Sequence, residues 1–545
     1  IRGASSLTGD NQPLFVIDGV PVSNSLSGNT SQVGDRNIVD YGNAISDLNP
    51  ADIENVSILK GAGAAALYGS RAGNGVVLIT TKSGQKNQKM RVSVNTSTVF
   101  DKPYKYLKTH SSFATGVTPF TSEQWQQLTG GPLVIDEGSA ARLGPQLDIG
   151  QNAIQWNSPL DENGNPIPTP LVSYPNNVAN FVQTGITNTN NIAISGGGSN
   201  SSFRVSYTNM NNRGIVPSSD MFRNSLNVSG TYDVTSKLSF STNVNVGRSN
   251  SNSVPANNRG TNPLQWAYAV APHINILDLK EYWEEGQVDI QQRNVPDHNN
   301  PWFLAHEVKN AFTRDRVFGN MAVDYKLTPE LTASFVYAMD RYNEHRTNQI
   351  PFSENRNANG IYGVTNMNRM EGNTSVNLAY DKYFENFSLR ASIGGNSMFQ
   401  TYNSNTTASS RGGLVIPGLF TLSNITPANL QYSNYRSEKA IYSVYGMASL
   451  GFQDMLYLDV TARNDWSSTL PEANRSYFYP SVTLSALLNN IFQMSDQIDM
   501  IKLRGGWAQV GNDTGPYRLQ STLGNSGAWN GVTRLSTSGT LLSPT

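Results

Sequence analysis

The stretch 13–22, PLFVIDGVPV, and the stretch 53–84, IENVSILKGAGAAALYGSRAGNGVVLITTKSG, decide the fold of this chain. Residues 14–17, 56–59 and 75–81 are short, apolar, β-branched runs of strand type. Asp18-Gly19 is a turn signal, and the segment 61–75 is rich in glycine and small residues. This pattern predicts a small mixed sheet whose connections depend on glycine.

The glycine-rich segment also fits part of a dinucleotide-binding fingerprint. Gly61, Gly63 and Ala66 follow a strand and lead into a helix-like run. The fingerprint requires an acidic residue about 20 positions further on. Here the next strand arrives sooner and is followed by Lys82 and Ser83. Nucleotide binding is therefore disfavoured.

The whole opening segment resembles the plug of TonB-dependent outer-membrane transporters, and its sequence motifs are most similar to those of the SusC/RagA type. The IDGVPV run and the ending ITTKSG indicate this branch, whereas transporters in general carry an arginine where this chain has Lys60. The residues that match the plug motif are Arg2, Gly3, Asp18, Gly19, Lys60, Gly61, Tyr68, Gly69, Arg71 and Gly75.

Composition excludes several other classes of protein. Charged residues make up only 14% of the 545 residues, against about 25% in typical soluble domains. The net charge of −1 gives no reason to expect nucleic acid as a partner. The absence of cysteine excludes disulfides and thiol catalysis. Since no run approaches the length of a spanning helix, a membrane form would have to be a barrel.

Apolar and polar residues alternate along most of the chain after residue 89. In residues 456–463, for example, Leu456, Leu458 and Val460 alternate with Tyr457 and Asp459. Such segments lie near 89–100, 188–197, 202–211, 221–233, 236–249, 314–327, 330–346, 371–383, 386–402, 437–452, 455–467, 474–490 and 498–511. The sequence therefore predicts thirteen antiparallel strands, each with one apolar and one polar face.

Connection lengths separate a barrel from soluble β-sandwiches, whose strands also alternate. Tight connections near 198–201, 234–235, 328–329, 385 and 454 alternate with long ones at 101–187, 250–313, 347–370 and 403–436. Outer-membrane barrels sort their turns in this way, with tight periplasmic turns and long extracellular loops.

The expected fold is mainly β: a transmembrane antiparallel β-barrel with an N-terminal mixed α/β plug. The predicted domains are a plug over 1–84 and the first part of a barrel over 85–545. The resemblance implies about 22 strands in the complete barrel, of which roughly 13 are predicted here. An odd strand number and the opening in mid-motif suggest a chain cut at both ends.

The resemblance implies active uptake of a nutrient across the bacterial outer membrane, not enzymatic activity and not a cofactor. The implied partners are TonB, through a segment outside this chain, a SusD-like surface lipoprotein, outer-membrane lipid, and an oligosaccharide or peptide cargo. A siderophore or vitamin receptor is the alternative within transport. A β-rich surface binding protein or adhesin is the alternative outside it.

Candidate sites are few. The five histidines have no metal-ligand spacing, and an ordinary turn explains the calcium-like start at Asp161 better than a metal does. Tryptophans in the predicted loops could contact a partner or ligand, or could pack the loops onto themselves; they are Trp125, Trp156, Trp266, Trp283 and Trp302. Ion pairs that hold the plug in the barrel could form among Lys60, Arg71, Arg204, Arg390, Asp459 and Arg463, although solvated lumen charges are the simpler explanation.

Overall fold

A computed structural model gives the fold of residues 12–22, 39–43, 45–59, 68–257, 260–295, 298–409, 412–492, 500–511, 513–519 and 523–537. The residues form two main sheets, a small one from the N-terminal segment and a large one from the remainder. Among these residues no helix is both long and apolar enough to span a membrane.

The small sheet contains the strands β1 Leu14–Ile17, β2 Val20–Val22, β3 Ile53–Leu59 and β4 Val76–Thr81. Its order is β2-β1-β4-β3, with β1 and β4 parallel and the other pairs antiparallel. Asp18 and Gly19 both have positive φ, as a tight two-residue hairpin requires. The predicted mixed sheet and its turn are confirmed. We call residues 12–84 the plug segment.

The strands after the plug segment are, in chain order, β5 Arg91–Asp101, β6 Asn152–Ala153, β7 Thr169–Pro170, β8 Gly185–Gly196, β9 Ser201–Arg213, β10 Asp220–Asp233, β11 Leu238–Ser251, β12 Lys309–Lys326, β13 Leu331–Glu354, β14 Asn357–Tyr383, β15 Phe387–Ser409, β16 Leu430–Phe452, β17 Leu456–Ser467, β18 Ser476–Leu487, β19 Lys502–Ala508, β20 Leu523–Trp529 and β21 Val532–Thr537. Thirteen of them, β5 and β8 to β19, form one sheet in which each strand pairs antiparallel with its neighbours in sequence. We call this sheet the wall. It is the predicted antiparallel barrel sheet, and it is open in the described residues, where β5 and β19 do not pair.

The two faces of the wall have the reverse of the polarity of a soluble sheet. On β9, Phe203 and Tyr207 are more than 40% exposed, whereas Arg204 and Ser206 are at most 6% exposed. Cross-strand partners share a face, so the same inversion continues over neighbouring strands. The apolar side chains therefore face outward, as in a membrane barrel, and the polar side chains face the plug segment.

Two predicted long loops are wrong. The structure replaces the loop at 347–370 by a continuous hairpin of β13 and β14, whose ends are joined by residues 355 and 356. The predicted loop at 403–436 is likewise shortened by the extension of β15 to Ser409 and of β16 back to Leu430. A spanning strand needs only about 9–11 residues. The extra length therefore projects beyond the membrane, where strands keep their pairing but lose the apolar face that reveals them in sequence.

The C-terminal hairpin β20–β21 was not predicted. It turns at Asn530-Gly531, both with positive φ. Trp529, expected beyond the last strand, ends β20. The aromatic run 477–479 is divided between the two faces of the wall: Phe478 is exposed, whereas Tyr479 is buried against Asp465.

The described residues include five short α-helices between the strands: α1 Ser122–Thr129, α2 Asn177–Phe181, α3 Pro263–Ala269, α4 Pro301–Glu307 and α5 Leu488–Ile491. Two long connections, 102–184 and 252–308, contain the first four helices and pack against each other. Their shared apolar cluster, which we call the loop core, includes Phe181, Ile274, Ile276, Leu279 and Trp302. The long loops therefore form a folded layer over one end of the wall.

Candidate functional site

The plug segment contacts the inward face of the wall through buried charged groups. The first contact joins Asp52, at the end of a single 3-10 turn capped by Asn49, to β9. Asp52 Oδ1 accepts from Arg204 Nη2 at 2.6 Å and from Ser206 Oγ at 2.7 Å. Both side chains of the ion pair are at most 7% exposed. Asn49 Nδ2 donates to Thr208 Oγ1 one residue pair further along the strand, at 2.6 Å.

A second contact is a charge network around Asp47. Its carboxylate lies 3.4 Å from Arg314 Nη1 and 3.5 Å from Arg316 Nη1, both on β12. Each arginine is also paired within the wall, Arg314 with Glu344 at 2.7 Å and Arg316 with Asp340 at 2.8 Å. The Asp47 carboxylate is therefore a second partner for two wall arginines, each of which is already paired with a carboxylate of the wall.

Tyr41 belongs to the same network. Its backbone carbonyl accepts from Arg314 Nη2 at 3.0 Å, and its hydroxyl oxygen accepts from Asn348 Nδ2 at 3.0 Å. The Arg346 guanidinium lies 4.0 Å from the centre of its ring, within the range of a cation–π contact. Tyr41 is only 1% exposed and its ring packs edge-on against Phe312. One aromatic side chain therefore links the plug segment to two wall strands.

A third contact joins Arg71 to β14. Arg71 Nη1 lies 2.5 Å from Glu371 Oε1, and the Glu371 side chain is 2% exposed. Asn373 Nδ2 donates to the same oxygen at 3.2 Å, and Arg369 lies 3.7 Å from the other carboxylate oxygen. Arg71 comes from the short 3-10 turn Ser70–Ala72 that follows Gly69.

Gly69 brings the plug backbone close to β17. Its φ is +74°, and a Cβ at this position would lie 2.8 Å from Asp465 Oδ2 and 3.2 Å from Arg463 Nη2. The position therefore requires glycine both for its backbone angle and for its close approach to the wall. Tyr68, just before it, packs against the apolar side of the plug sheet.

The Asp18-Gly19 turn faces β11 and β12. Asp18 accepts from the backbone N–H and hydroxyl of Thr81, at 2.7 and 2.8 Å, which ties β1 to the end of β4. Asn243 Nδ2 donates to the same carboxylate at 2.9 Å, and Asn320 donates to the Asp18 carbonyl. Burial raises the pKa of the Asp18 carboxyl, although the hydrogen bonds from Thr81 oppose this effect. Gly75, with φ +94°, leads into β4 and accepts from Leu14 N–H at 3.0 Å.

The expected ion pairs are only partly present. Arg71 and Arg204 pair across the interface as described. Arg463 pairs with Asp465 on its own strand and approaches the plug only at Gly69. The expectation was wrong for Arg390, which forms an exposed pair with Asp381 on the neighbouring strand. Within the described ranges, Asp459 forms no ion pair with the plug segment.

Four residues of the plug motif, Arg2, Gly3, Lys60 and Gly61, lie outside the described residues, as does most of the glycine fingerprint. Conversely, sequence reasoning missed the carboxylates Asp47 and Asp52 and the wall partners of Arg314 and Arg316. The available signal was the clustering of arginine and carboxylate on the polar faces of 314–316 and 340–346, in a chain that is otherwise poor in charge.

The interface combines these polar contacts with an apolar cluster, in which Phe318 and Ala338 of the wall pack against β1 and β2, and it contains room for water. A cavity of about 20 Å³ lies between Asp47, Asp52, Arg314 and Arg316, which is enough for one water molecule. Polar partners can be exchanged for water at low cost compared with exposing an apolar interface. The arrangement can therefore hold the plug segment firmly and still permit its release.

The loop tryptophans lie inside the folded loop layer. Trp302 is 7% exposed and donates from Nε1 to the Ile276 carbonyl at 2.8 Å. Trp156 packs against the loop core under Arg293, at 5.1 Å, and Trp125 packs on a separate apolar cluster near Phe120.

The other two, Trp266 and Trp283, pack near α4. The ring of Trp283 meets Phe303 edge-on at 5.4 Å. Trp266 donates to the Gly260 carbonyl at 2.5 Å. All five tryptophans thus stabilise the loops, as the packing alternative requires.

No metal centre is present in the part of the chain that the structure describes, where no three acidic or histidine side chains converge. Asp297 lies outside these residues, and His298 contacts the edge of Trp266. At Asp161 the carboxylate accepts from the backbone N–H groups of Asn163 and Asn165, both at 2.8 Å. These hydrogen bonds form an Asx turn and lower the pKa of the Asp161 carboxyl.

Comparison with known proteins identifies proteins that are similar to this chain. Residues 1–76 match the TonB-dependent receptor plug domain. The chain is 25% identical over 533 residues to the TonB-dependent receptor SusC of Bacteroides thetaiotaomicron, covering 94% of this chain and 47% of that protein. It is 26% identical over 548 residues to the TonB-dependent receptor P26 of Formosa agariphila, covering 96% of this chain and 48% of that protein. Over nearly its whole length the chain is thus similar to SusC-type TonB-dependent receptors, and its first 76 residues match their plug domain.

Solved structures agree in fold. The RagAB peptide importer in its closed-closed state superposes with a TM-score of 0.71 at 20% identity, over 100% of this chain and 58% of that one. A second structure of the RagAB peptide transporter gives a TM-score of 0.73 at 18% identity, with the same coverage. The chain spans about half the length of the curated relatives that it matches. The apolar outward face of the wall and these similarities assign the wall to the bacterial outer membrane.

Proposed function

We propose that this SusC/RagA-type chain takes part in the active uptake of a nutrient across the outer membrane. The observation that carries the proposal is the plug segment, held by buried ion pairs against the polar inner face of a wall whose outer face is apolar. A wall of this polarity encloses an aqueous passage. A segment bound inside it by exchangeable polar contacts blocks that passage until force or binding displaces it.

The partners follow from the relatives. TonB supplies the displacing force, and a SusD-like surface lipoprotein covers the loop layer. The cargo is an oligosaccharide or an oligopeptide: one relative is named SusC and the solved neighbours are peptide importers. Transport rather than catalysis is the activity proposed, since the relatives are named receptors and importers.

The division of the chain remains a proposal. We assign 1–84 to the plug and 85–545 to the barrel, since the last plug strand ends at Thr81 and the first wall strand begins at Arg91. Deleting 1–84 from the complete protein should leave a barrel that still assembles, because the strands of the wall pair with one another.

The test measures ion conductance and uptake on the same protein. In planar bilayers, the variant without 1–84 should conduct ions and the intact protein should be nearly silent. In cells, uptake of labelled oligosaccharides or oligopeptides should require both the protein and an energised TonB. A correctly inserted deletion variant that stays silent would refute the assignment of the plug.

The partner is tested separately. Shortening the connection 257–308 should abolish co-purification of a surface lipoprotein while the wall still folds. The matched control shortens the C-terminal hairpin 523–537, which lies outside the loop core. Unchanged co-purification in the first variant would leave the loop layer without a partner.

A further inference from the structure

A cleft of about 850 Å³ lies on the outward side of β8, β9 and β10, below the loop layer. Its strand side is lined by Asn188, Asn211 and Phe222, which are direct cross-strand partners and share one face. That face is the outward one, because it also carries the exposed Ile192 and Tyr207. The cleft therefore opens towards the membrane side of the wall and not towards the passage.

The cleft lies just above the apolar part of the wall. On β9, the outward residues are apolar or aromatic up to Tyr207 and then become Asn209, Asn211 and Arg213. Asn211 follows Tyr207 by four residues, or about 13 Å along a strand. With the usual strand tilt this is about 10 Å of height, which is the level of lipid headgroups.

Two cations, Lys280 and Arg213, and one carboxylate, Asp220, line the cleft. Lys280 lines it and is exposed, and its ammonium group lies 5.7 Å from the Trp302 ring centre. Lys309 lies close enough to influence His306, another lining residue. Within the described residues neither lysine forms an ion pair with a carboxylate.

The two carboxylates near these cations keep their negative charge but accept hydrogen bonds from neutral donors. Asp220 accepts from Ser251 Oγ at 3.0 Å and from the backbone and side-chain nitrogens of Asn252 at 2.7 Å each. Glu307 accepts from the Tyr282 hydroxyl at 2.8 Å. The two cations that line the cleft therefore outnumber its one lining carboxylate, and neither forms an ion pair among the described residues.

His306 forms the back of the cleft. Its ring stacks between Tyr282 and Trp302, with ring centres at 5.6 and 6.2 Å, and its Nδ1 lies 2.6 Å from Ser218 Oγ. Burial lowers the pKa of His306, and the charges of Lys309 and Lys280 lower it further. The same positive potential that disfavours a charged imidazole favours an anion.

We propose that this cleft binds the phosphorylated sugar headgroup of an outer-leaflet glycolipid. Lysine ammonium groups bind phosphate, the amides of Asn188 and Asn211 suit sugar hydroxyls, and the position matches the headgroup layer. The volume fits a ligand of disaccharide size and far exceeds that of a single small anion. A cargo molecule travelling through the passage would meet the opposite face of the wall.

The test titrates the purified full-length protein, in phosphatidylcholine nanodiscs, with a bisphosphorylated glucosamine disaccharide that lacks acyl chains. Calorimetry should show saturable binding, and Lys280→Gln should weaken it about tenfold because a charge-assisted contact is lost. Lys280→Arg should retain most of the affinity. The control is Lys237→Gln, an exposed lysine in the tight turn at the opposite end of β10 and β11, which should have no effect.

Three outcomes would overturn the proposal: equal affinity for the dephosphorylated disaccharide, equal affinity for inorganic phosphate alone, or no difference between Lys280→Gln and Lys237→Gln. Equal affinity for inorganic phosphate would indicate a simple anion site. Heat-modifiable migration on gels confirms that each variant is folded. The assay involves no transport, so it succeeds or fails independently of the proposed uptake.

Discussion

Replacing Asp52 by Asn should loosen the plug segment by removing one charge of a buried pair. The variant leaves Arg204 charged, only 7% exposed, and still in contact with Asn227 at 3.3 Å. Removing one partner of a buried ion pair costs roughly 3–5 kcal/mol, mostly because the remaining charge is uncompensated. Asparagine keeps one acceptor oxygen, so the loss should be near ~3 kcal/mol, or about two orders of magnitude in the population of released plug.

A cysteine reporter can measure that population, because the chain contains no cysteine. Ser229 is a suitable position for this cysteine. It lies opposite Arg204 on the adjacent strand β10, it is 5% exposed, and its hydroxyl has no hydrogen-bond partner. Maleimide labelling of Ser229→Cys should be slow in the otherwise unchanged protein. Adding Asp52→Asn should accelerate labelling about a hundredfold, if labelling follows the released population.

Two comparisons make the result interpretable. Asp315→Asn breaks an ion pair of the same type and the same 2.6 Å length, but Asp315 and its partner Arg248 are about half exposed on the outward face. It should leave labelling nearly unchanged, since exposed pairs contribute little. Adding Arg204→Met to Asp52→Asn should restore slow labelling by removing the stranded charge. Equal labelling rates in Asp52→Asn and Asp315→Asn would refute the reasoning.

Three further predictions concern membrane facing, plug docking and topology. Leu458→Arg should destabilise the folded wall by about 2–4 kcal/mol in bilayer folding experiments, because its side chain lies on the apolar outward face. Gly69→Ala should weaken the docking of the plug segment by at least ~1–2 kcal/mol. The added Cβ would sit on a residue with positive φ and would also contact the wall. A cysteine at Asn163, exposed in a long connection, should be labelled on intact cells, whereas one at Ser199, exposed in a tight turn, should not.

Matched controls exist for two of these. Asn464→Arg places the same charge on the same strand and face, above the apolar belt, and should cost about 0–1 kcal/mol. Gly150→Ala shares a positive φ of +81° but has nothing within 4 Å of the added Cβ, so it isolates the backbone contribution. Equal costs within either pair would show that the assigned face, or the assigned contact, is wrong. Labelling of Ser199 alone would invert the topology.

Short-range sequence patterns predicted much of the fold. The plug strands, the Asp18-Gly19 turn and thirteen wall strands follow from alternation and turn chemistry, which act between residues close in sequence. The two faces of β9 were likewise visible in the order of Phe203, Arg204, Val205 and Ser206, and the pattern of connection lengths indicated that the apolar face is the outward one. The family resemblance agrees with these patterns because the plug motif lies within one continuous segment.

Tertiary structure decided what depends on distant residues. The hairpin of β13 and β14 continues past the membrane because Ile350 and Ile361, each 1% exposed, pack against Phe303 and Leu304 of α4. No alternation in 347–370 reveals this packing, since the apolar partners come from another loop. The strand ends were therefore misplaced in both long hairpins.

The charged residues of the candidate site also divide into those that the sequence predicted and those that only the structure revealed. Sequence identified Arg71 and Arg204 as interface residues but could not name Glu371 and Asp52 as their partners, which lie 300 and 152 positions away. It also assigned Arg390 to the interface, because a polar face in sequence does not reveal how far along the wall the plug reaches. Sequence alone determined which side chains face inward; only the folded wall, by curving around the plug segment, determined which of them meet.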